Sequence, residues 1–257
     1  MRITVLAENT SAKGLPHEHG LSLYAETEKC RFLFDMGQTD LFARNARALG
    51  IDLAAVDFAV VSHGHYDHGG GLGTFLEIND HAPVYMSPHA FEPHYNGTEK
   101  YIGLDMSLRS SERIVYAFDG MALREGLTVR VLPDDKKIMD FGSQGLNMIL
   151  DGRLTGEDFR HEIYLIAEED GKRILLSGCS HKGAVNIARF FRPDVFIGGF
   201  HLSHTAPGEG LSAAAEALDE CGADYYTCHC TGTEQYLYMR ERMRSLRYLG
   251  TGDSAEV

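Results

Sequence analysis

Apolar positions along this chain come in short runs, and the period of each run predicts its element. Residues 2–7, 21–26 and 30–35 are β-rich and separated by polar or glycine-containing segments, which predicts three strands lying as antiparallel neighbours in one sheet. A helix follows from Thr39 to about Leu49, with Gly50 as its stop. Phe58-Ala59-Val60-Val61 reads as a short buried strand. Further on, residues 163–168 and 173–177 predict a hairpin around Glu169-Asp170-Gly171, followed by a helix over 184–191. Strand and helix then alternate through 195–198, 211–221, 225–228 and 234–244, ending in a short strand near 246–249. The pattern is that of an α/β layered protein.

Composition narrows this picture. A chain of 257 residues with 44% hydrophobic content can bury a sizeable core. No Pro/Ser-rich tract, charge block or repeat divides it, so one domain over 1–257 is expected. With 24 basic and 37 acidic side chains the formal charge is −13, which disfavours attraction to nucleic acid or to an anionic membrane surface. Bound divalent metals would reverse that potential locally, so a small anionic substrate stays open as the partner. Residues 1–6 read as a first strand and not as a signal peptide, and no segment is long enough to span a membrane. The 5 cysteines lack the spacing of a disulfide framework. These features place the protein in the cytoplasm and leave its oligomeric state open.

The candidate chemistry lies just after residues 58–61, in His63-Gly64-His65-Tyr66-Asp67-His68. In extended chain, residues 63 and 65 point the same way, so two imidazoles can share one cation. Asp67 and His68 follow where the chain turns toward Gly69-Gly70-Gly71, and they can serve a second cation. Further histidines sit at loop-like positions: His161 before the strand predicted from residue 163, then His181, His201 and His229 after later strand ends. Cys228 and Cys230 flank His229 without a second cysteine pair, so they read as packing residues and not as a zinc knuckle.

Residues 63–68 match H-x-H-x-D-H at every defined position, and the chain is therefore identified as resembling the metallo-β-lactamase-fold hydrolases. That resemblance implies a four-layer αββα sandwich, with the site along one edge. It implies that His161 and His229 are metal ligands, His63, His65 and His161 holding one cation and Asp67, His68 and His229 another. Where the superfamily places a bridging Asp, this chain has Cys179, which reads either as a thiolate ligand or as a small buried hydrophobe. Asp35, in Asp35-Met36-Gly37, is expected to brace the histidine loop without touching a metal.

Glu18-His19-Gly20-Leu21-Ser22, Gly178-Cys179-Ser180-His181-Lys182-Gly183, Gly199-Phe200-His201-Leu202 and Cys228-His229-Cys230-Thr231-Gly232 make the chain similar to the dihydropterin–aminobenzene synthase branch of that superfamily. The similarity is weakest over about 92–158, where a variable insertion is expected. Asn9 and His19 fit the branch as residues facing the substrate, although Asn9 could equally make a turn. His94, Tyr95 and Tyr101 lie in a loop-like aromatic stretch that either forms a lid over a flat ring or covers the core. His181 is expected to begin a helix, and His181 or His201 would donate a proton or hydrogen bond to a leaving group.

The function expected from all this is metal-dependent hydrolysis of a small anionic phosphate or ester, with hydroxide generated by one or two divalent cations. Zinc is the expected metal, with iron, manganese or nickel as alternatives. Two other readings are a transferase that displaces pyrophosphate from a pterin methyl group, and a non-catalytic small-ligand-binding protein.

Overall fold

In the computed structural model of the protein, which describes residues 1–11 and 13–257, the three amino-terminal runs form the strands Arg2–Ala7, Ser22–Glu26 and Arg31–Phe34. They pair antiparallel as expected, with Ile3 opposite Ala25 and Leu23 opposite Phe34. The chain clusters into two units, each assembled from separate segments: Met1–Phe118, Phe141–Ile163 and Gly250–Glu256 in the first, Asp119–Asp140, Tyr164–Leu249 and Val257 in the second. Within the stretch 92–158, residues 119–140 therefore belong to the second unit and the flanking residues to the first.

The first unit carries a seven-stranded mixed sheet in the order Ser254–Glu256, Arg2–Ala7, Ser22–Glu26, Arg31–Phe34, Phe58–Val61, Val84–Met86, Ile114–Tyr116. Every residue of Phe58–Val61 is buried, which explains why this run reads as continuously apolar instead of alternating. The helix Leu41–Ala48 turns Phe42 and Ala46 into a core shared with Leu6, Leu33 and Val61. Burying a side chain such as Phe42 contributes about 1.5–3 kcal/mol. A smaller sheet, Arg153–Gly156, Leu146–Leu150, His94–Asn96 and Lys100–Tyr101, completes the unit. The hydrophobic pattern does not predict this sheet, because its strands are short and two of them are largely exposed, so no alternation survives.

The second unit carries its own seven-stranded sheet: Leu246–Tyr248, Asp224–Thr227, Val195–Gly198, Lys172–Leu176, Tyr164–Glu169, Leu127–Arg130, Ala122–Arg124. The hairpin at 169–172 is present, Glu169 facing Lys172 across Asp170 and Gly171, both with positive φ as a two-residue turn of this hand requires. Helices Ala184–Phe191 and Glu209–Cys221 bury Ile187, Ala188, Leu211 and Leu218 against Leu175, Phe196 and Tyr225. The last helix ends at Arg240, short of the expected residue 244.

Candidate metal centre

The first unit positions the histidine loop through one buried carboxylate. Asp35 has a positive φ of 60° and no solvent exposure, and three donors at 2.7 Å meet it: the Ser62 amide, the Ser62 hydroxyl and His68 Nδ1. The Ser62 hydroxyl gives its proton to Asp35, so its contact of 2.8 Å with His63 Nδ1 is one in which the imidazole donates. Both His63 and His68 thus carry their proton on Nδ1 and keep the Nε2 lone pair for an electrophile. The bracing role read from the sequence for Asp35 has here a geometric form, a carboxylate that sets the tautomers of two candidate ligands.

His65, with extended backbone, precedes the short helix Tyr66–Gly69, and its ring stands 4.7 Å from that of His63, centroid to centroid. The loop is held against the rest of the unit by backbone bonds, Leu21 N to Asp67 O at 3.1 Å and Met36 N to His68 O at 2.7 Å. Gly64 is required by close approach: a Cβ there would lie 2.3 Å from Ala90 O and 2.8 Å from His94 Nε2. Asp67 Oδ2 is 3.1 Å from His19 Nε2 and 3.9 Å from His68 Nε2. Asn9 Nδ2 reaches His19 Nδ1 at 3.4 Å, while its oxygen accepts from the Gly20 amide, so Asn9, His19 and Asp67 form one chain of contacts.

Deeper in the same unit, His65 and His161 meet two residues whose part in the site the sequence did not reveal. Glu157 Oε1 is 3.2 Å from His65 Nε2 and 2.8 Å from His161 Nε2, and it also pairs with His94 Nδ1. Ligand atoms of His65, His94, Glu157 and His161 all lie within 4.8 Å of one another, and all four residues are buried. His63 stands outside this foursome, its ring 5.8 Å from that of His161. Burial, followed by the neighbouring His94, pushes His161 down to about 3, so its ring is neutral near pH 7. Burial would raise Glu157, but hydrogen bonds from His161, His65 and His94 outweigh it and hold the carboxyl far below its usual range. A divalent transition cation fits these residues: imidazole and carboxylate donors suit it, and His94 Nε2 is buried without a hydrogen bond. Spacing carried a faint signal for Glu157, four residues before His161. His94 had none, being one residue of an aromatic stretch.

That stretch is not a loop. His94–Asn96 and Lys100–Tyr101 are paired strands, Tyr95 sits opposite Tyr101, and their rings meet edge to face at 5.6 Å. Tyr101 donates to Leu104 O at 2.9 Å.

The second unit brings its own donors together. Ligand atoms of Cys179, His201 and Cys230 lie within 4.8 Å of one another, and the rings of His181 and His201 are 4.2 Å apart. Cys230 is buried, as a packing residue would be, but its sulfur also accepts the His201 amide at 3.3 Å. His201 and His229 both have positive φ, 53° and 50°, conformations that non-glycine residues seldom adopt. His181 does not begin a helix: the helix starts at Ala184 after Gly183, whose φ of 92° breaks the chain direction between them. His229 opens a short turn, His229–Thr231, after the strand Asp224–Thr227.

Known proteins resemble this chain along most of its length. A synthase of Methanocaldococcus jannaschii, 7,8-dihydropterin-6-methyl-4-(beta-D-ribofuranosyl)-aminobenzene-5'-phosphate synthase, is 29% identical over 98% of this chain and 95% of its own length. An uncharacterised protein of the same organism is 31% identical over 78% of this chain and 79% of its length. The crystal structure of Tm1679, described as a metal-dependent hydrolase of the beta-lactamase superfamily, aligns with a TM-score of 0.86 and 28% identity over 100% of this chain and 99% of that one. The mixed α/β fold is thus that of metallo-β-lactamase structures. Residues 16–226 match the pattern of a single family, and the chain belongs to the metallo-beta-lactamase superfamily.

Proposed function

We propose that the protein is a metal-dependent hydrolase of a small anionic substrate, a phosphate or an ester, with cation ligands drawn from His63, His65, Asp67, His68 and His161. One observation carries the reading: buried Asp35 fixes His63 and His68 in the tautomer that offers Nε2 to a cation. A divalent cation, zinc first among candidates, would supply Lewis acidity, polarising a substrate oxygen and lowering the pKa of water toward about 7. Asp35 and Ser62 do the orienting. His19, more than half exposed, holds a protonated Nε2 toward Asp67, because its Nδ1 accepts from Asn9. It is placed to direct that carboxylate. In the second unit, Cys179, His201 and Cys230 bring donor atoms together, with the His181 ring beside that of His201. The net charge of −13 supports a small molecule over a nucleic acid as substrate.

A second reading is favoured by the near-full-length similarity to the methanopterin-pathway synthase: a transferase that displaces pyrophosphate from a pterin and joins an aminobenzene in its place. Incubation of the zinc-loaded protein with the pterin pyrophosphate, with and without the aminobenzene phosphate, decides between the two. Release of hydroxymethylpterin supports hydrolysis, and a pterin–aminobenzene adduct supports transfer. Loss of all turnover on chelation, restored by zinc, is expected in either case. Turnover that survives in His63→Ala and in chelator overturns both.

A further inference from the structure

We infer that Cys179 and Cys230 are a redox pair, two thiols that hydrogen peroxide joins into a reversible disulfide within the second unit. Along the chain 51 positions separate them. Folding removes that separation. The ligand atoms of Cys179, His201 and Cys230 lie within 4.8 Å of one another, so the two sulfurs stand no farther apart than that. A disulfide bond is about 2 Å long, and a change of staggered rotamer at one cysteine carries its sulfur across the remaining gap of at most about 2.8 Å. Among the described residues, no other converging group of donors contains two sulfurs. Cys221 donates within its own helix, to Ala217 O, and Cys30 belongs to the first unit.

Hydrogen bonds fix both backbones and leave the sulfurs weakly held. Gly199 N donates to Gly178 O at 2.8 Å and Ser180 Oγ to Gly199 O at 2.6 Å, so the residues on either side of Cys179 are tied to the next loop. The Cys230 carbonyl accepts from Leu202 N and Ser203 N, each at 3.0 Å, and ties its own turn to that same loop. The Cys230 thiol meets only weak partners, donating to Cys179 O at 3.5 Å and accepting from the His201 amide at 3.3 Å. Space is kept for it: a Cβ at Gly199 would lie 2.4 Å from Cys230 Sγ. With both backbones already in place, closing the bond costs little chain entropy. One peroxide serves one pair. The first sulfur attacks a peroxide oxygen, the O–O bond breaks, and a sulfenic acid and a water form. The second sulfur then attacks the sulfenic sulfur, the S–S bond forms, and a second water leaves. Both thiol protons end in water, and two electrons pass from the sulfurs to the peroxide. Because the His201 amide donates to Cys230 Sγ and the His201 ring lies 4.2 Å from that of His181, the bond also moves the partner of a histidine pair.

Thiol counting and disulfide mapping test this on the reduced, folded chain. After brief exposure to a small excess of hydrogen peroxide, titration in denaturant should find two fewer thiols than the 5 of the reduced chain, and the intact mass should fall by two hydrogens. A non-reducing digest should yield a peptide joining Cys179 to Cys230, and dithiothreitol should restore every thiol. Cys228→Ser should still form that linked peptide, whereas Cys230→Ser should not. In the parent, the His201 amide resonance should shift on oxidation and return on reduction, a readout that needs no variant. A digest in which Cys179 and Cys230 stay unlinked, as free thiols or as sulfinic acids, overturns the pair. So does a link between Cys228 and Cys230, or a Cys179–Cys230 link that forms only in denaturant. None of these readouts involves turnover, so the thiol pair and the hydrolase reading can fail independently.

Discussion

Asp35→Asn tests the physical reasoning behind the histidine loop most directly. Asp35 is fully buried and accepts from Ser62 N, Ser62 Oγ and His68 Nδ1, each at 2.7 Å. Asparagine is nearly isosteric and tolerates the left-handed backbone at this position, so the substitution adds little strain, whereas Asp35→Ala would add strain and a hole. The asparagine oxygen can still accept the Ser62 amide. Its NH2 group, however, then faces His68 Nδ1, and the imidazole relieves the clash only by moving its proton to Nε2. That removes the lone pair that a cation needs. A lost hydrogen bond to a charged group is worth about 1.5–3 kcal/mol, which corresponds to a 10- to 100-fold weaker zinc affinity at about 1.4 kcal/mol per tenfold. Chelator-competition titration of metal-stripped protein measures it. Asp57→Asn, at a carboxylate that accepts the Arg31 amide at an exposed position, serves as control and should bind zinc like the parent. A folded Asp35→Asn protein with parental zinc affinity would refute the tautomer argument.

Gly64→Ala forces a Cβ to within 2.3 Å of Ala90 O, so the loop must shift; about 1–3 kcal/mol of stability and much of the bound zinc should be lost, read by urea unfolding and metal analysis. His19→Ala removes an exposed partner of Asp67 and should change stability by no more than about 1 kcal/mol while weakening zinc less than Asp35→Asn does; a larger loss of zinc would make His19 a ligand. Tyr24 is pushed up to about 12, first by burial and then by Glu26, so it stays neutral in the fold while the unfolded chain ionises from its ordinary 10. Stability should therefore fall as pH rises from 10 to 12, and this slope should be smaller in Tyr24→Phe; equal slopes in the two proteins would sink the assignment.

Much of this protein was legible in one dimension. Strands such as Arg31–Phe34 and Phe58–Val61, and the helix near residues 41–48, follow from local period, because the side chains that face a core recur at the element's own spacing. The metal-binding character of residues 63–68 was equally local, since a run of imidazoles and a carboxylate after a buried strand keeps its chemistry whatever surrounds it. The brace at Asp35 could be anticipated only as a support. Its three donors come from Ser62 and His68, some thirty residues away, and which imidazole nitrogen they leave for a cation is decided by hydrogen-bond direction in the folded chain. Glu157 and His94 show the limit most clearly. They are separated from His65 by 92 and 29 positions, and no sequence period connects points that meet only because strand pairing and burial bring them together. Residue type and local order therefore determined the elements and the kind of chemistry. Which donors converge, and with which atom, was left to the tertiary structure, because a ligand set is defined by distances across the chain and not along it.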